Sequence, residues 1–279
     1  VTVPYTTGRP PDVTLPTSVR LVDMPSLARP QVGVGRAVFT EPAYWTPELP
    51  NLYRLEARIE EDRIENGTGG DAVAACDRLT VDRMIGLRRL GIRGRSFWLD
   101  GRRWVARGIG GHRAGFDPET LRGLYATAVV DDPDEAFCAA ADRIGVGIVA
   151  WLGDGVTTLA PADAEQRLAR LASHPAVLLA VVPRTCDPEA AAEIAARSRQ
   201  ARGTLLLGLE VDGGRPPEAG LEETVAGVDF LVVDLPHAGV PHEDWRAHPP
   251  GMPLVARLHA FAGPDDSEPE AAALREECD

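Results

Sequence analysis

Hydrophobic positions along this chain follow two different periods. Up to about residue 103, short runs alternate apolar and polar residues: Ser18-Val19-Arg20-Leu21-Val22, then Val32 to Phe39, then Leu52-Tyr53-Arg54-Leu55-Glu56-Ala57-Arg58-Ile59. Successive side chains of a strand point to opposite faces. Period-two runs broken by Pro and Gly clusters therefore predict an antiparallel sandwich over residues 1–103. The polar stretch Glu60 to Asp71, with Asn66-Gly67 inside it, predicts a hairpin turn or loop. No helix is predicted in this half.

From about Trp104 the period changes. Near-continuous apolar runs recur at Trp104 to Gly110, Leu124 to Val130, Gly145 to Leu152, Ala176 to Val182, Thr204 to Val211, Asp229 to Leu235 and Pro253 to Ala260. Between them lie stretches of helical spacing: Asp134 to Ile144, Ala162 to Ala172, and Pro188 to Arg202, the last with Asp187 as N-cap and Pro188 at its first position. Fully apolar strands alternating with helices predict a parallel sheet covered on both faces. Seven units over residues 104–279, at a spacing of roughly 20–30 residues, suggest a (β/α) TIM-type barrel, which eight would close. An open doubly wound sheet is the alternative. It normally carries a Gly-rich phosphate loop after its first strand, and Gly108-Ile109-Gly110-Gly111 is too short for one.

Composition narrows the function classes. With 279 residues, 44% of them hydrophobic, the chain can bury a proper core. Its 29 basic residues, all arginine, stand against 42 acidic ones, a net charge of −13. That balance argues against nucleic acid as a partner, because phosphate binding needs a cation excess. No apolar run is long enough to span a membrane. Cys76, Cys138, Cys186 and Cys278 are too widely spaced for a zinc ribbon or a redox pair, and His237, His242 and His248 lack the HExxH pattern. No cofactor or metal is therefore predicted. The chain opens Val1-Thr2-Val3 with no signal-like segment, which leaves periplasm, extracellular space and cytoplasm all open.

The junction of the two regimes is where the sequence becomes specific. Trp45-Thr46-Pro47-Glu48-Leu49-Pro50-Asn51-Leu52-Tyr53 is followed by Gly86-Leu87-Arg88, Phe97-Trp98-Leu99-Asp100-Gly101-Arg102 and Arg107-Gly108-Ile109-Gly110-Gly111-His112. In this order they resemble the passage from immunoglobulin-like domain into barrel in family 2 glycoside hydrolases, the β-galactosidases, β-glucuronidases and β-mannosidases. The resemblance is close over residues 40 to 115 and continues as pattern-level matches. It implies an immunoglobulin-like β-sandwich at 1–103 and a barrel at 104–279, shortened or incomplete. The family's jelly-roll domain and an eighth strand are not evident, since Pro264 to Asp279 is acidic and lacks a strand-like run. Such a chain is expected to belong to a larger polypeptide, with its other domains as partners.

The same resemblance implies a chemistry whose residues are missing. Retaining glycosidases need two carboxyl groups about 5–5.5 Å apart, one as acid/base and one as nucleophile. The family's acid/base glutamate ends the fourth barrel strand in "H-P-S-x-x-x-W-S-x-G-N-E". Here the passage runs from His174-Pro175 to Val182-Pro183-Arg184-Thr185, with threonine in the glutamate's place. A hydroxyl cannot protonate a leaving group as a carboxylic acid does. The nucleophile's run "K-P-x-x-x-T-E" matches Met252-Pro253-Leu254-Val255-Ala256-Arg257, which puts arginine, a permanent cation without an acceptor lone pair, at that place. At the second strand the family's arginine and histidine become Ala128 and Asp131, and the acidic end of the third becomes Trp151. No catalytic residue is therefore assigned, and the expectation is a degenerate, non-catalytic carbohydrate-binding or scaffold module.

The presumed open face keeps His112, Trp151, Asp154, Glu210, Asp212, Asp234, His237 and His259. Three readings stand for this set: solvated loop charges beside a core-edge tryptophan, a carbohydrate-binding remnant, or a rearranged acid/base pair. In the last case Glu210 and Asp234 are the fallback catalytic candidates of an active β-glycosidase.

Overall fold

The computed structural model describes residues 19–20, 36–37, 42–59, 79–110, 117–153, 159–186, 188–216, 227–235, 239–247 and 250–258. Antiparallel pairing dominates the first part. Strands β1 (Val19–Arg20) and β2 (Arg36–Ala37) pair, as do β3 (Tyr53–Ile59) and β4 (Leu79–Ile85), in register from Tyr53 opposite Ile85 to Ile59 opposite Leu79. The connection predicted around Asn66-Gly67 lies outside the described residues. Strands β5 (Leu90–Arg93), β6 (Ser96–Leu99) and β7 (Arg102–Trp104) form a three-stranded meander. Its second turn is Asp100-Gly101, with φ of 47° and 77°, the left-handed pair that a two-residue type I′ hairpin needs.

All seven predicted apolar runs from Trp104 onward contribute a strand. They are β8 (Gly108–Gly110), β9 (Thr127–Asp131), β10 (Ile148–Trp151), β11 (Val177–Val182), β12 (Leu206–Asp212), β13 (Phe230–Asp234) and β14 (Leu254–Arg257). The first run is divided: Trp104 pairs with Phe97 in the antiparallel meander, and the parallel sheet starts four residues later at Gly108. Helices α1 (Pro118–Gly123), α2 (Glu135–Ile144), α3 (Pro161–Ala172), α4 (Pro188–Ser198) and α5 (Asp244–Ala247) lie in the intervals. The sequence pattern foresees α2, α3 and α4 but not the short α1 and α5. Asp134 caps α2 through a 2.7 Å bond from the Phe137 amide, and Gly145 ends it with φ of 86°. Helix α3 presents Ala164, Leu168 and Leu171, spaced for one face, to the core.

The parallel strands are hydrogen-bonded in strict chain order, β8 to β14. With right-handed crossovers, unbroken order puts every helix on one side of the sheet, so the other side must be covered by curling. The curl is visible in one contact. Arg257 on β14 holds its guanidinium carbon 4.8 Å from the ring centre of Trp151 on β10. In a flat sheet four strand spacings would part those backbones by about 19 Å. The sheet is thus a half-barrel fitting a partial TIM barrel, and the open doubly wound alternative is not adopted.

Register sorts the side chains. Trp151 pairs with Asp131 and Val181, Gly208 with Val181 and Phe230, and Asp234 with Asp212 and Arg257. These residues, with Glu210, share the concave face. Ala150, Ala180, Leu207 and Leu231 share the helix-facing one. At the lower end of the concave face Phe230 occupies the space left by Gly208 and meets Phe97 of β6 edge-on at 5.3 Å, so the meander plugs the bottom of the half-barrel. A Cβ on Gly208 would lie 2.5 and 2.8 Å from Cζ and Cδ2 of Phe230. Gly208→Ala is expected to cost about 1–3 kcal/mol by overpacking, read as a lowered urea midpoint with an unchanged slope.

Candidate functional site

The upper, C-terminal ends of the strands are where barrel active sites lie. Five side chains meet there. Trp151 ends β10, Arg184 follows β11, Glu210 stands on β12, and Asp234 and Arg257 end β13 and β14. Glu210 is 5% exposed, and its carboxylate accepts from the Arg257 guanidinium and, at 3.3 Å, from the Arg184 amide. Arg184 reaches over β12 to Asp234, its Nη1 3.2 Å from Oδ2. Arg257 lies over the Trp151 ring as a cation–π pair, which is favoured where both partners are partly desolvated. Two cations and two carboxylates therefore interleave across four strand ends, above a buried aromatic floor. The Trp151 Nε1–H is buried and has no acceptor among the described residues.

This arrangement has a definite chemical character. Glu210 lies opposite Val232 in the register, and Asp234 opposite Asp212, so the two carboxylates are one strand over and about one pleat (~7 Å) apart along the strands. Both are engaged by guanidinium groups, which donate and never accept. A nucleophilic attack by Glu210 would have to break its bond to Arg257. Thr185, in the turn after β11, is exposed. Asp212, exposed at the end of β12, accepts from the Gly214 amide at 2.9 Å and meets Arg215 Nε at 3.3 Å, and it does not join the cluster. His112, Asp154, His237 and His259 lie outside the described residues.

A second polar cluster, at the lower ends of the strands, was not foreseen as a site. Its sequence signals were the Gly-Leu-Arg and His-Pro pairs, quoted as separate markers. Arg88 is 8% exposed and donates from Nη1 to the carbonyls of His174 and Val177 at 2.5 and 2.6 Å, and from Nε to Thr204 at 3.1 Å. Gly86 lets this segment close in: a Cβ there would lie 2.6 Å from Cβ of Pro175. His174 bonds Asp142 through Nδ1 at 2.7 Å and Glu135 through Nε2 at 3.0 Å. Asp142 also accepts from the Ala176 amide at 2.8 Å, and its own carbonyl accepts from the Trp45 indole at 2.8 Å. Motifs 130 residues apart in sequence thus form one junction between the antiparallel strands and the half-barrel.

Charges there are shifted for identifiable reasons. Burial, only partly offset by the charge of Asp142, lowers the Arg88 pKa to about 10, so Arg88 stays a cation near neutrality. Burial works against the His174 imidazolium, but hydrogen bonds to Asp142 and Glu135 and their charges outweigh it and raise the histidine's pKa. Glu135 is lowered, first by its bond to His174. Burial, aided by the charge of Asp142, pushes the Cys138 thiol up to about 12, which removes it from thiolate chemistry. Cys138 and Cys186 are both buried. Among the described residues no group of His, Cys, Asp and Glu could hold a metal ion, and no helix is long and apolar enough to cross a membrane.

No protein-family profile matches the chain, and no curated protein does. Solved structures do resemble it. A β-glucuronidase from Ruminococcus gnavus in complex with D-glucuronic acid is 18% identical with a TM-score of 0.61, over 80% of this chain and 44% of that one. A Bacteroides uniformis β-glucuronidase is 16% identical with a TM-score of 0.56, over 79% of this chain and 31% of that one. A β-D-glucuronidase from Dictyoglomus thermophilum is 16% identical with a TM-score of 0.51, over 72% and 40%. The chain spans less than half the length of each of these. At such identities the likeness is one of fold alone, shared with a part of each of these β-glucuronidases.

Proposed function

We propose that this chain is a non-catalytic relative of the family 2 glycoside hydrolases, whose barrel mouth holds an ion-pair cluster in place of an acid and a nucleophile. It serves as a carbohydrate-binding or scaffold module within a larger polypeptide. The reading includes the immunoglobulin-like sandwich over residues 1–103, supported by the antiparallel pairings of β1 to β7, and the barrel over 104–279.

One observation carries it: Arg257, at the place the family resemblance gives to the nucleophile, is bonded to Glu210 and stacked on Trp151. Breaking a glycosidic bond needs a proton donor and an attacking anion on either side of the sugar. The position of the first holds Thr185. The best remaining carboxylates, Glu210 and Asp234, are each tied to an arginine.

The competing reading, an active β-glycosidase with Glu210 and Asp234 as a relocated pair, rests on their shared concave face. A panel of 4-nitrophenyl β-D-glucuronide, galactoside and mannoside separates the two. The expected result is no hydrolysis above the uncatalysed rate. Turnover that disappears in Glu210→Gln or Asp234→Asn would establish the relocated pair instead. Quenching of tryptophan fluorescence by D-glucuronic acid without turnover identifies the binding module, and its absence the scaffold.

A further inference from the structure

The meander carries a charge opposite to that of the whole molecule. Residues 89–107 hold six arginines and one aspartate, a local +5 in a chain whose net charge is −13. All six, Arg89, Arg93, Arg95, Arg102, Arg103 and Arg107, are exposed. Among the described residues none of them is in an ion pair, whereas Arg167, Arg170, Arg197 and Arg202 each meet a carboxylate. A cationic patch on an acidic chain attracts anions that the remaining surface repels.

Register decides which of the six converge. Gly91 pairs with Trp98 and Trp98 with Arg103, while Leu90 pairs with Leu99 and Ile92 with Phe97. Phe97 and Leu99 are buried against the half-barrel, so the residues that alternate with them, Arg89, Arg93, Trp98 and Arg103, belong to the outward face. Trp98 is the centre of that set. Arg103 stands directly across from it on β7. Arg89 and Arg93 lie two positions before and after Gly91, which makes both of them diagonal neighbours of Trp98. Side chains directly opposite start about 5 Å apart and diagonal ones about 7–8 Å, within reach of a long side chain. Arg93 already makes that reach, with its guanidinium carbon 4.5 Å from the centre of the Trp98 ring. Asp100, the one acid in the stretch, gives its backbone amide to the Arg89 carbonyl at 2.8 Å. Arg102 pairs with Leu99 and so belongs to the other face.

The face also has room. Between Arg89 and Arg93 the strand carries Gly91, and nothing lies within 4 Å of a Cβ built on it. Three arginines and the indole thus border an open recess. Each guanidinium offers N–H donors in a planar fork and accepts nothing. Three forks around one recess match a group with three terminal oxygens and about two negative charges, and a phosphate monoester is such a group. A carboxylate or a phosphodiester brings two oxygens and one charge, which leaves one arginine unanswered.

We propose that Arg89, Arg93 and Arg103 form a binding site for the phosphoryl group of a small phosphate monoester, seated over Gly91 beside Trp98. Trp98 acts as a positioning residue that holds the Arg93 head. The site lies on the meander that plugs the lower end of the half-barrel, so it is independent of the mouth and of what the mouth binds.

Isothermal titration calorimetry of the whole chain with glucose 6-phosphate and with inorganic phosphate, at constant ionic strength, tests the proposal. One-to-one binding is expected. For the ester it is tighter at about pH 7.5 than at about pH 5.5, because its second proton leaves near pH 6 while arginine stays charged. D-Glucuronate and dimethyl phosphate should bind at least tenfold more weakly than the ester. Gly91→Val fills the recess without changing any charge, and Arg103→Gln removes one fork; each should weaken binding at least tenfold. Arg102→Gln takes the same charge from the other face and should leave the affinity within about twofold. Tighter binding of glucose 6-phosphate than of inorganic phosphate identifies a sugar phosphate as the ligand, and equal binding identifies free phosphate; both support the site. Three results overturn it: no binding at millimolar ligand, D-glucuronate bound as tightly as the ester, or a loss in Arg102→Gln as large as in Arg103→Gln. Circular dichroism spectra matching the native chain show that each variant is folded. If Gly91→Val fails that check, Arg89→Gln takes its place with the same expected loss.

Discussion

Arg257→Leu should lower the unfolding free energy by about 2–4 kcal/mol. Glu210 is 5% exposed, and its side chain loses the cation that faces it. Removing one partner of a buried pair typically costs about 3–5 kcal/mol because the other is left as an uncompensated charge. Arg257 is itself a third exposed, so the lower range applies here. In a chain of this size that corresponds to a melting temperature lower by roughly 5–15 °C. The double variant Arg257→Leu with Glu210→Leu should recover most of the loss, since both the charge and its desolvation are then gone. A double-mutant cycle measures the coupling directly; near-zero coupling would mean that the pair does not hold this mouth together, and would remove the main support for the non-catalytic reading. The curl of the sheet adds a second readout. If Arg257 bridges β14 to Trp151, its loss should also change the near-ultraviolet circular dichroism of the buried indole.

Asp142→Asn is expected to cost about 3–5 kcal/mol, the most of any single change discussed, because it takes the charge from a buried carboxylate that holds the His174 ring and accepts from the Ala176 amide. It also changes the pH dependence of stability, and the sign follows from the direction of the histidine's shift. A raised folded pKa means that the folded state binds the proton more tightly than the unfolded chain. The contribution of His174 is therefore complete below the ordinary histidine value of about 6.5 and is lost as the pH rises through the higher folded value. Glu135, shifted down, contributes above the ordinary carboxylate value and loses that contribution as the pH falls through its folded value. Urea midpoints measured at about pH 6 and about pH 9 should differ in the native chain by more than in His174→Gln. A slope unchanged by that substitution would show that the imidazole is not held between two carboxylates. Arg83 and Arg170 face Glu135 as well, so its own contribution is shared with them.

The two clusters differ in how far the sequence announced them. The junction was written in residues of fixed kind, Gly86, Arg88, His174 and Pro175, yet nothing in their spacing said that they touch. Only the fold shows that Gly86 is small because Pro175 fills its place, and that Arg88 answers carbonyls that the turn into β11 leaves open. The mouth was legible as a set of strand-end residues, including Trp151, Glu210, Asp234 and Arg257. Their pairing was not, because Arg184 reaches Asp234 across an intervening strand, and Arg257 reaches Trp151 across the curl.

What the sequence determined by itself was the local period. Near-continuous apolar runs alternating with capped, amphipathic stretches specify parallel strands and helices through side-chain direction alone, and all seven strands appeared where the runs lay. An Asp-Gly pair specifies its turn because only those residues take left-handed φ cheaply. Tertiary structure decided where Trp104 belongs, since an apolar run carries no mark telling an antiparallel partner from a parallel one. It also decided which charges meet. Coulomb energy depends on distance and burial, and both are set by how tightly the sheet curls rather than by any spacing along the chain.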